Sequence, residues 1–248
     1  MDDVLGSSLA VGDFNGDGRG DLVIGAPGRN DGAGEVFVIH GSASGLSDTV
    51  QRWKQDFLLL SNKSEAGDRF GAALAAGDFN GDGRADLAVG VPFESFAVNG
   101  RMVAEAGEVD MIYGSASGLS GPAGHVSQIF RQGVSGTSDA PEATGVGDTP
   151  EAGDHFGSRL TAWNFGRDEH PRTCPNGRIA CPIKTADLAI GVPDESVGTL
   201  PFAGAVHVLY GSFANNGLSA TGSQLWTQNS PGVPGGSETS DSFGFSLY

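Results

Sequence analysis

The sequence is poor in the features that mark membrane-spanning and nucleic-acid-binding proteins. Its 248 residues contain no apolar run of about 18 residues, so we expect no membrane-spanning helix and no membrane insertion. Only 14 residues are Lys or Arg, against 30 Asp or Glu, and the formal charge is −16. A chain this acidic is not expected to bind nucleic acid through its phosphates or to dock on anionic lipid. Its carboxylates suit bound cations instead.

Recognisable catalytic patterns are also missing. No Ser-His-Asp order and no glycine pattern of a nucleophile elbow stand out, and the carboxylates fall in loops at repeated positions. The sequence therefore predicts a protein that is not an enzyme. Among the histidines, His207 alternates with Val206 and Val208, which indicates a solvent-facing strand position.

Cysteine is scarce. Cys174 and Cys181 lie in a polar stretch with Pro175 and Gly177 between them. We interpret them as a disulfide that closes a loop, which implies an oxidising compartment. A zinc site that adds His170 is the alternative, but the spacing fits the short ligand spacings of structural zinc poorly.

Internal repetition is the feature that the sequence has in abundance. Four segments place an acidic residue three positions before a glycine: Asp3 and Gly6, Asp68 and Gly71, Asp154 and Gly157, Asp241 and Gly244. Each of the first three continues with Asp-Leu-x-x-Gly-x-Pro, over residues 21–27, 86–92 and 187–193. A second apolar run, a Gly/Ser turn and a short apolar stretch near Trp53, Phe130 or Trp226 complete the unit. Repetition at such a long period is typical of stacked architectures.

Each unit is predicted to form four short strands, so the fold class is all-β and the architecture a β-propeller of four-stranded blades. An up-and-down barrel or a sandwich is the alternative. We expect one domain over 1–248, with three full repeats at about 1–60, 61–145 and 146–238 and one extra first strand at 239–248. The acidic stretch 138–154 is interpreted as a mobile loop between blades. Because three blades leave open flanking faces, the chain is expected to be a partial ring or fragment of a longer array, or to self-associate.

Two loops carry the pattern Asp-x-Asn-x-Asp-Gly-x-x-Asp between the first and second strands of their units. Oxygen side chains at relative positions 1, 3, 5 and 9, with a backbone carbonyl at position 7, suit Ca²⁺. The alternative is a pair of turns whose carboxylates face water. The predicted ligands are Asp13, Asn15, Asp17, Arg19 (carbonyl) and Asp21 in one loop, and Asp78, Asn80, Asp82, Arg84 (carbonyl) and Asp86 in the other.

The third unit departs from this pattern. Its loop keeps only Asn164 and Asp187 at the end positions and swells between them. Asp168 could supply a ligand to a weak third site, but we favour the disulfide as the staple of this loop.

These residues resemble the FG-GAP repeats of integrin α-subunit propellers and their bacterial relatives. Phe70-Gly71, Phe156-Gly157 and Phe243-Gly244 are similar to the "FG" element, and Gly25-Ala26-Pro27 matches "GAP". The resemblance implies a calcium-binding propeller, normally seven-bladed, outside the cell. The family's calcium ligands correspond to the residues of the two complete loops and correspond poorly to the third.

The expected function is a non-catalytic, secreted or cell-surface module that binds an extracellular protein or glycan ligand, as in adhesion. The alternative is an accessory or catalytic domain of a secreted enzyme, which would bind polysaccharide. Loops between the second and third strands are the expected contact surface, since exposed aromatic residues on long loops commonly make contacts. An inward fold of these loops over the blade edge is equally consistent with the sequence. The candidates are Phe93, Glu94, Phe96, Asp194, Glu195 and Phe202.

Overall fold

The computed structural model describes residues 3–58, 63–120, 127–133, 135, 143–166, 171–173, 179–182, 184–212 and 217–247, with backbone alone for 171–173 and 179–182. Three antiparallel sheets dominate the described chain, one for each predicted repeat. The first sheet, blade 1, has strands in sequence order: β1 (Ser8–Gly12), β2 (Asp21–Ala26), β3 (Glu35–Ser42) and β4 (Gly45–Trp53). A single helical turn, α1 (Arg29–Gly32), joins β2 to β3, and a 3₁₀ turn (Gln55–Phe57) follows β4.

Blade 2 repeats this order with additions. Its strands are β5 (Ala73–Gly77), β6 (Asp86–Val91), the hairpin β7 (Phe96–Val98) and β8 (Arg101–Val103), then β9 (Glu108–Ser115), β10 (Gly118–Ser120), β11 (Gln128–Gln132) and β12 (Thr144–Val146). The fourth blade position is occupied by β10 and β11, which both pair with β9. Strand β12 extends the sheet by pairing in parallel with β11. Part of the 138–154 stretch, interpreted from the sequence as a loop, is therefore a fifth strand.

Blade 3 returns to four strands and adds a hairpin in its first loop. The strands are β13 (Arg159–Trp163), the hairpin β14 (Pro171–Thr173) and β15 (Ile179–Pro182), then β16 (Asp187–Val192), β17 (Ala205–Ser212) and β18 (Gly217–Trp226). The predicted disulfide lies outside the description, because Cys174 is not described and only the backbone of Cys181 is. The four-stranded blades predicted from the repeats are confirmed, and with them the propeller class. No closed ring is detected among the described residues.

The second strand of each blade lies inside the sheet, with a strand on either side of it, which explains its composition. Strands β6 and β16 are buried along their whole length because both faces pack against other elements. A strand buried on both faces is a nearly continuous apolar run, whereas an edge strand alternates. Leu-Ala-Val and Leu-Ala-Ile in these two strands meet that demand.

The phenylalanine–glycine pairs join each blade to the preceding one. Phe70 forms a parallel bridge with Gly34, and the same bridge recurs between Phe156 and Gly107 and between Phe243 and Gly204. In each case the phenylalanine N–H donates to the carbonyl before that glycine, at 2.9–3.0 Å. Backbone atoms make this contact, so it does not depend on the side chains. It can therefore recur wherever the start of one blade approaches the preceding blade closely enough.

Glycine permits that approach. Gly71 has φ +86°, and a Cβ there would lie 2.8 Å from Val36 Cγ2 in blade 1. Gly157 and Gly244 have the same conformation, and a Cβ on either would lie 3.0 or 2.9 Å from the equivalent valine of the preceding blade. Gly6 has the same φ, +86°, but a Cβ there would meet nothing within 4 Å, because no blade lies in front of it in the described structure.

Apolar side chains fill the space between successive blades. Val23, Val36 and Val38 of blade 1 share a core with Leu74, Leu87 and Val89 of blade 2. A second core joins blade 2 to blade 3, and Val109, Met111 and Phe130 meet Leu160, Leu188 and Ile190 there. The equivalent face of blade 1 is uncovered: Leu9 is 60% exposed, whereas Leu74 at the same repeat position is 8% exposed.

Two further expectations from the sequence are corrected. His207 is buried, not solvent-facing, since blade 3 packs against blade 2 on that side. Its ring meets Phe156 edge-on with centroids 5.5 Å apart, and burial lowers its pKa to about 4. The segment 239–247 contributes the single bridge at Phe243 and no strand, because a first strand needs a second strand beside it and none lies there in the described chain.

Substitution of the two matched glycines tests the contact between blades. Gly6→Ala and Gly71→Ala both impose a positive φ on alanine, which costs about 1–2 kcal/mol. Only Gly71→Ala also forces a methyl group against Val36, and we expect a further loss of about 1–3 kcal/mol in the free energy of unfolding. Urea unfolding of the two variants measures the difference. Equal destabilisation would show that the close approach does not hold the blades together.

Candidate functional site

The two complete Asp-x-Asn-x-Asp-Gly loops adopt the same tight curl. In the first loop, Asp13 accepts the N–H groups of residues 16 and 17 on Oδ1 and that of residue 18 on Oδ2, at 2.8–3.0 Å. Asn15 Oδ1 accepts from Asp17 N at 2.9 Å, and Asp17 Oδ1 accepts from Arg19 N at 2.9 Å. The second loop repeats every one of these bonds from Asp78, Asn80 and Asp82, at 2.7–3.1 Å.

The glycines of the loops allow this curl. Gly16 and Gly18 have φ +74° and +84°, and Gly81 and Gly83 have +73° and +90°. Left-handed backbone at two alternate positions turns successive side-chain oxygens toward the same side of the loop. The three carboxylates of each loop do not bring one oxygen each to within 4.8 Å of the others, since several accept backbone N–H groups.

The donor set fits a hard cation. Carboxylate, amide and carbonyl oxygens are the ligands that Ca²⁺ takes in proteins, and neither loop contains sulfur or imidazole. In the second loop burial raises the pKa of Asp86 to about 8, and the charges of Asp78 and Asp82 add to this effect. Burial also raises the pKa of Asp78. A cation between these carboxylates would offset the cost of holding three like charges in one partly buried loop.

The aspartate at position 9 of the pattern has a structural role of its own. Asp21 Oδ2 accepts from Phe14 N at 3.1 Å and Oδ1 from Gly41 N at 2.8 Å, so one buried carboxylate joins the loop to the end of β3. Asp86 makes the same two bonds in blade 2, at 2.9 Å each, and Asp187 makes them in blade 3, at 2.7 and 3.0 Å. Asp187 does so although its loop lacks the aspartate–glycine pair of the other two loops.

Only two residues of the predicted weak third site, Asn164 and Asp187, are described. Asn164 Oδ1 accepts from Gly166 N at 3.1 Å, and its Nδ2 donates to the Thr185 carbonyl at 3.2 Å. Asp187 is held by the two backbone N–H groups given above. Asp168 lies outside the described residues.

The predicted ligand surface is only partly a surface. Glu94, Phe96 and Glu195 are 2%, 1% and 3% exposed, so their predicted role as surface contacts is wrong. Of the two interpretations of these loops, the inward fold over the blade edge holds for these three residues. Phe96 packs under the Arg131 guanidinium, whose carbon lies 4.3 Å from the ring centroid. Phe202 is half exposed. Phe93 and Asp194 are half-buried and line a shared cavity.

That cavity has a volume of about 540 Å³ and lies where the three blades converge. It is at the end of the blades opposite the two complete Asp-x-Asn-x-Asp-Gly loops, which are called the calcium-type loops below. Residues from equivalent repeat positions line it, including Pro27, Pro92 and Pro193. Arg69 stacks on Phe93 at 4.3 Å, and His155 lies 4.5 Å from the same ring, between centroids. His155 Nδ1 is 2.7 Å from Asp194 Oδ2. The cavity thus offers an aromatic ring, a guanidinium, an imidazole and a carboxylate to a ligand.

Sequence reasoning missed the residue that precedes each FG pair. Val4, Arg69, His155 and Ser242 all have a positive φ, 50–62°, and all line the cavity. The carbonyl of each accepts the N–H three residues on, at 2.9–3.2 Å. The aligned repeats contained a signal for these residues: the residue type at this position differs in all four segments, whereas the positions around it are nearly constant.

Comparison with known proteins agrees with this geometry. The family model described as "FG-GAP repeat" matches residues 5–39 and 70–109, which include both complete loops. The chain contains FG-GAP repeats. Their strands, bridges and loops are those described above for blades 1 and 2, and blade 3 follows the same plan.

The proteins to which this chain is similar include a phospholipase and integrin alpha subunits. A phosphatidylinositol-glycan-specific phospholipase D from Rattus norvegicus is 40% identical over 119 residues, which is 46% of this chain and 14% of that protein. Integrin alpha-PS2 from Drosophila melanogaster is 36% identical over 133 residues, 51% of this chain and 9% of the integrin. Integrin alpha-3 from Mus musculus is 34% identical over 120 residues, with 46% and 10% covered. The chain thus matches only a small part of each relative's length. In the described part of the chain, no helix is long and apolar enough to cross a membrane.

Replacement of the position-9 aspartate separates its structural role from metal binding. Asp187→Ala removes the acceptor for two backbone N–H groups, one of them buried, and we expect a loss of about 2–4 kcal/mol in the free energy of unfolding, equal in Ca²⁺ and in EDTA. Asp17→Ala, on an exposed loop, should cost less than about 1 kcal/mol in EDTA. Urea unfolding in both buffers measures these values. A loss at Asp187 that appears only in Ca²⁺ would contradict the structural role.

Proposed function

We propose that the chain is part of an extracellular, calcium-binding β-propeller that binds ligands as a non-catalytic adhesion-type module. The observation that carries this proposal is the pair of Asp-x-Asn-x-Asp-Gly-x-x-Asp loops, which repeat one set of backbone bonds at equivalent positions of two FG-GAP blades. The predicted ligands are the ten residues of the two loops given above. The third loop is not included, because its described residues lack the aspartate–glycine pair.

Calcium in these loops would stabilise the contact between blades. The carbonyl of Asp13 accepts the N–H of Ala85 in blade 2 at 2.9 Å, and the carbonyl of Asp78 accepts the N–H of Ala186 in blade 3 at 2.7 Å. The first ligand of each loop is therefore also a bond to the next blade. An ion that orders the loop would order this bond, and two ions would contribute four positive charges to a chain with a net charge of −16.

The ligand would bind at the other end of the blades. There the cavity at the convergence of the blades is lined by Phe93, Arg69, His155 and Asp194. Phe202, in the same loop of blade 3 as Asp194, is half exposed. Aromatic and cationic side chains at a concave surface are typical contact residues for protein partners. The similarity to integrin alpha subunits supports an extracellular protein ligand, and a location outside the cell is consistent with the predicted disulfide.

A second candidate function is an accessory domain of a secreted enzyme. It is supported by the 40% identity to a phosphatidylinositol-glycan-specific phospholipase D, which is named as an enzyme. In this case the cavity would bind a glycan. Phe93→Ala and Phe202→Ala should then abolish glycan binding in an array assay, whereas the adhesion function predicts protein binding that these variants weaken.

Further blades of the same kind are proposed to cover the open faces. Leu9, Val11 and Val50 lie on one face of blade 1 and are 49–66% exposed, although their register places them in the row that packs inward in blade 2. At the other end, Phe165 is 48% exposed, whereas Phe14 and Phe79 at the same loop position are fully buried by the next blade. These blades would come from one longer domain or from a second copy of the chain.

Thermal unfolding in calcium and in EDTA tests the calcium-binding function. A site held at 100 times its Kd adds about 2.7 kcal/mol, which raises Tm by about 5–10 °C for a chain of this length. Asp17→Asn and Asp82→Asn should each lose the increment of one site. Asp48→Asn removes the same charge from an exposed position of β4 and serves as the control. An identical Tm of the parent in calcium and EDTA, or an equal loss in the control, would contradict the proposal.

A further inference from the structure

A second group of carboxylates lies between blades 2 and 3, at the end of the blades opposite the calcium-type loops. Glu151, Asp154 and Glu195 each offer one oxygen, and these oxygens lie within 4.8 Å of one another. Asp154 and Glu195 are 2% and 3% exposed, and Glu151 is exposed. Asp154 precedes β13, whereas the third loop follows β13, so the group is separated from that loop by a full strand.

A buried amide oxygen accompanies the three carboxylates. Gln132, the last residue of β11, is fully buried, and its Nε2 donates to Glu195 Oε2 at 2.5 Å. The Oε1 atom of the same amide group is buried and has no hydrogen-bond partner in the described part of the chain. Burial of an amide oxygen without a hydrogen-bond partner is unfavourable. The amide group therefore lies beside Glu195 and leaves one buried oxygen without a partner.

An arginine lies near the corresponding carboxylates of the other two blades, although blade 2 has Glu94 at the position of Glu195. In blade 1, Arg29 occupies the position of Glu195, and its Nη1 lies 2.9 Å from Asp3, the counterpart of Asp154. Between blades 1 and 2 the buried acid Glu108 is paired with the buried Arg131, at 2.8 Å. Among the described residues, no Lys or Arg is within ion-pair distance of Glu151, Asp154 or Glu195. The negative charge between blades 2 and 3 thus lacks the side-chain cation that its counterparts have.

The titration of the group agrees with an uncompensated charge. Burial raises the pKa of Glu195 to about 8, and the charge of Asp154 adds to this effect. Burial likewise raises the pKa of Asp154 to about 7, against the opposing bond from Glu151 N. Ionisation of these carboxyls at neutral pH is therefore unfavourable without a cation, and a bound cation would favour the ionised forms.

We propose that Glu151, Asp154, Glu195 and the Gln132 amide oxygen bind one Ca²⁺ that holds blade 3 to blade 2. Calcium binds oxygen ligands at about 2.3–2.6 Å, so ligands on opposite sides of the ion are separated by about 5 Å. The carboxylate oxygens of this group lie within 4.8 Å of one another, close enough for one ion to contact all three. Gln132 belongs to blade 2 and Glu195 to blade 3, so the ion crosses the contact between them. The proposal is independent of the calcium-type loops.

The number of Ca²⁺ ions bound per chain tests this site. The full chain is dialysed against about 1 mM Ca²⁺, the range in which extracellular modules bind it, and the bound ion is counted. Glu195→Gln keeps an acceptor for Gln132 but removes the charge, and we expect it to bind one Ca²⁺ fewer than the parent. Glu94→Gln is the matched control: Glu94 is equally buried and accepts from Gln55 at 3.0 Å, but Arg131 lies close to it. It should bind the same number as the parent.

A variant with an exposed substitution covers the case in which Glu195→Gln does not fold. Glu151→Gln should fold as the parent does and weaken binding at this site at least about tenfold. An unchanged count in Glu195→Gln, an equal loss in Glu94→Gln, or unchanged affinity in Glu151→Gln would overturn the proposal. The double variant Asp17→Asn/Asp82→Asn separates the two kinds of site. If it binds as many ions as the parent while Glu195→Gln loses one, the loop sites fail and this site stands.

Discussion

The close approach of backbone to backbone at each phenylalanine–glycine pair is the constraint on which the arrangement of the blades depends. The bridge from Phe70 to Gly34 recurs at Phe156 and Phe243, with hydrogen bonds of 2.9–3.0 Å each time. Glycine is needed at Gly34, where a Cβ would lie 2.2 Å from Phe70 O, and at Gly71, where a Cβ would lie 2.8 Å from Val36 Cγ2. Once the bridge is formed, the valine of β3 and the leucine of the next first strand are brought into one apolar core. Packing thus follows from a backbone contact that side chains could not make alone.

Electrostatics add a second level of constraint to the same interfaces. Buried carboxylates lie at both ends of the blades: Asp21, Asp86 and Asp187 at one, and Glu35, Asp154 and Glu195 near the other. The first group is compensated by backbone N–H groups, which explains its persistence in blade 3 without the rest of the loop pattern. The second group needs a cation, which is Arg29 in blade 1 and is proposed to be Ca²⁺ between blades 2 and 3. The acidic composition of the chain is therefore concentrated where blades meet.

Much of this architecture was predictable from the sequence, because repetition reveals structure that a single unit does not. The positions of the strands, the two curled loops and the swollen third loop all follow from aligned landmarks such as Asp21, Asp86 and Asp187. The direction of the β2–β3 loops did not follow: Glu94 and Glu195 are charged, and only the Gln55 and Gln132 amides that meet them make burial tolerable. The exposure of His207 was also misjudged, since alternation in a strand does not tell which face another blade covers. Strand β12 lies in a stretch whose composition favours a loop, and its pairing with β11 supplies the order that its local sequence lacks.

The left-handed residue before each glycine has a consequence for how the molecule can diversify. At Val4, Arg69, His155 and Ser242 the backbone is set by the turn and by the bridge beside it, while the side chain contributes only to the shared cavity. A change of side chain there leaves the main-chain bridges between blades in place. The fold therefore separates a scaffold of main-chain contacts from a ring of positions whose side chains differ between repeats, as an antibody domain separates its framework from its hypervariable loops. Recognition of a new ligand would require substitutions at these positions and no rearrangement of the blades.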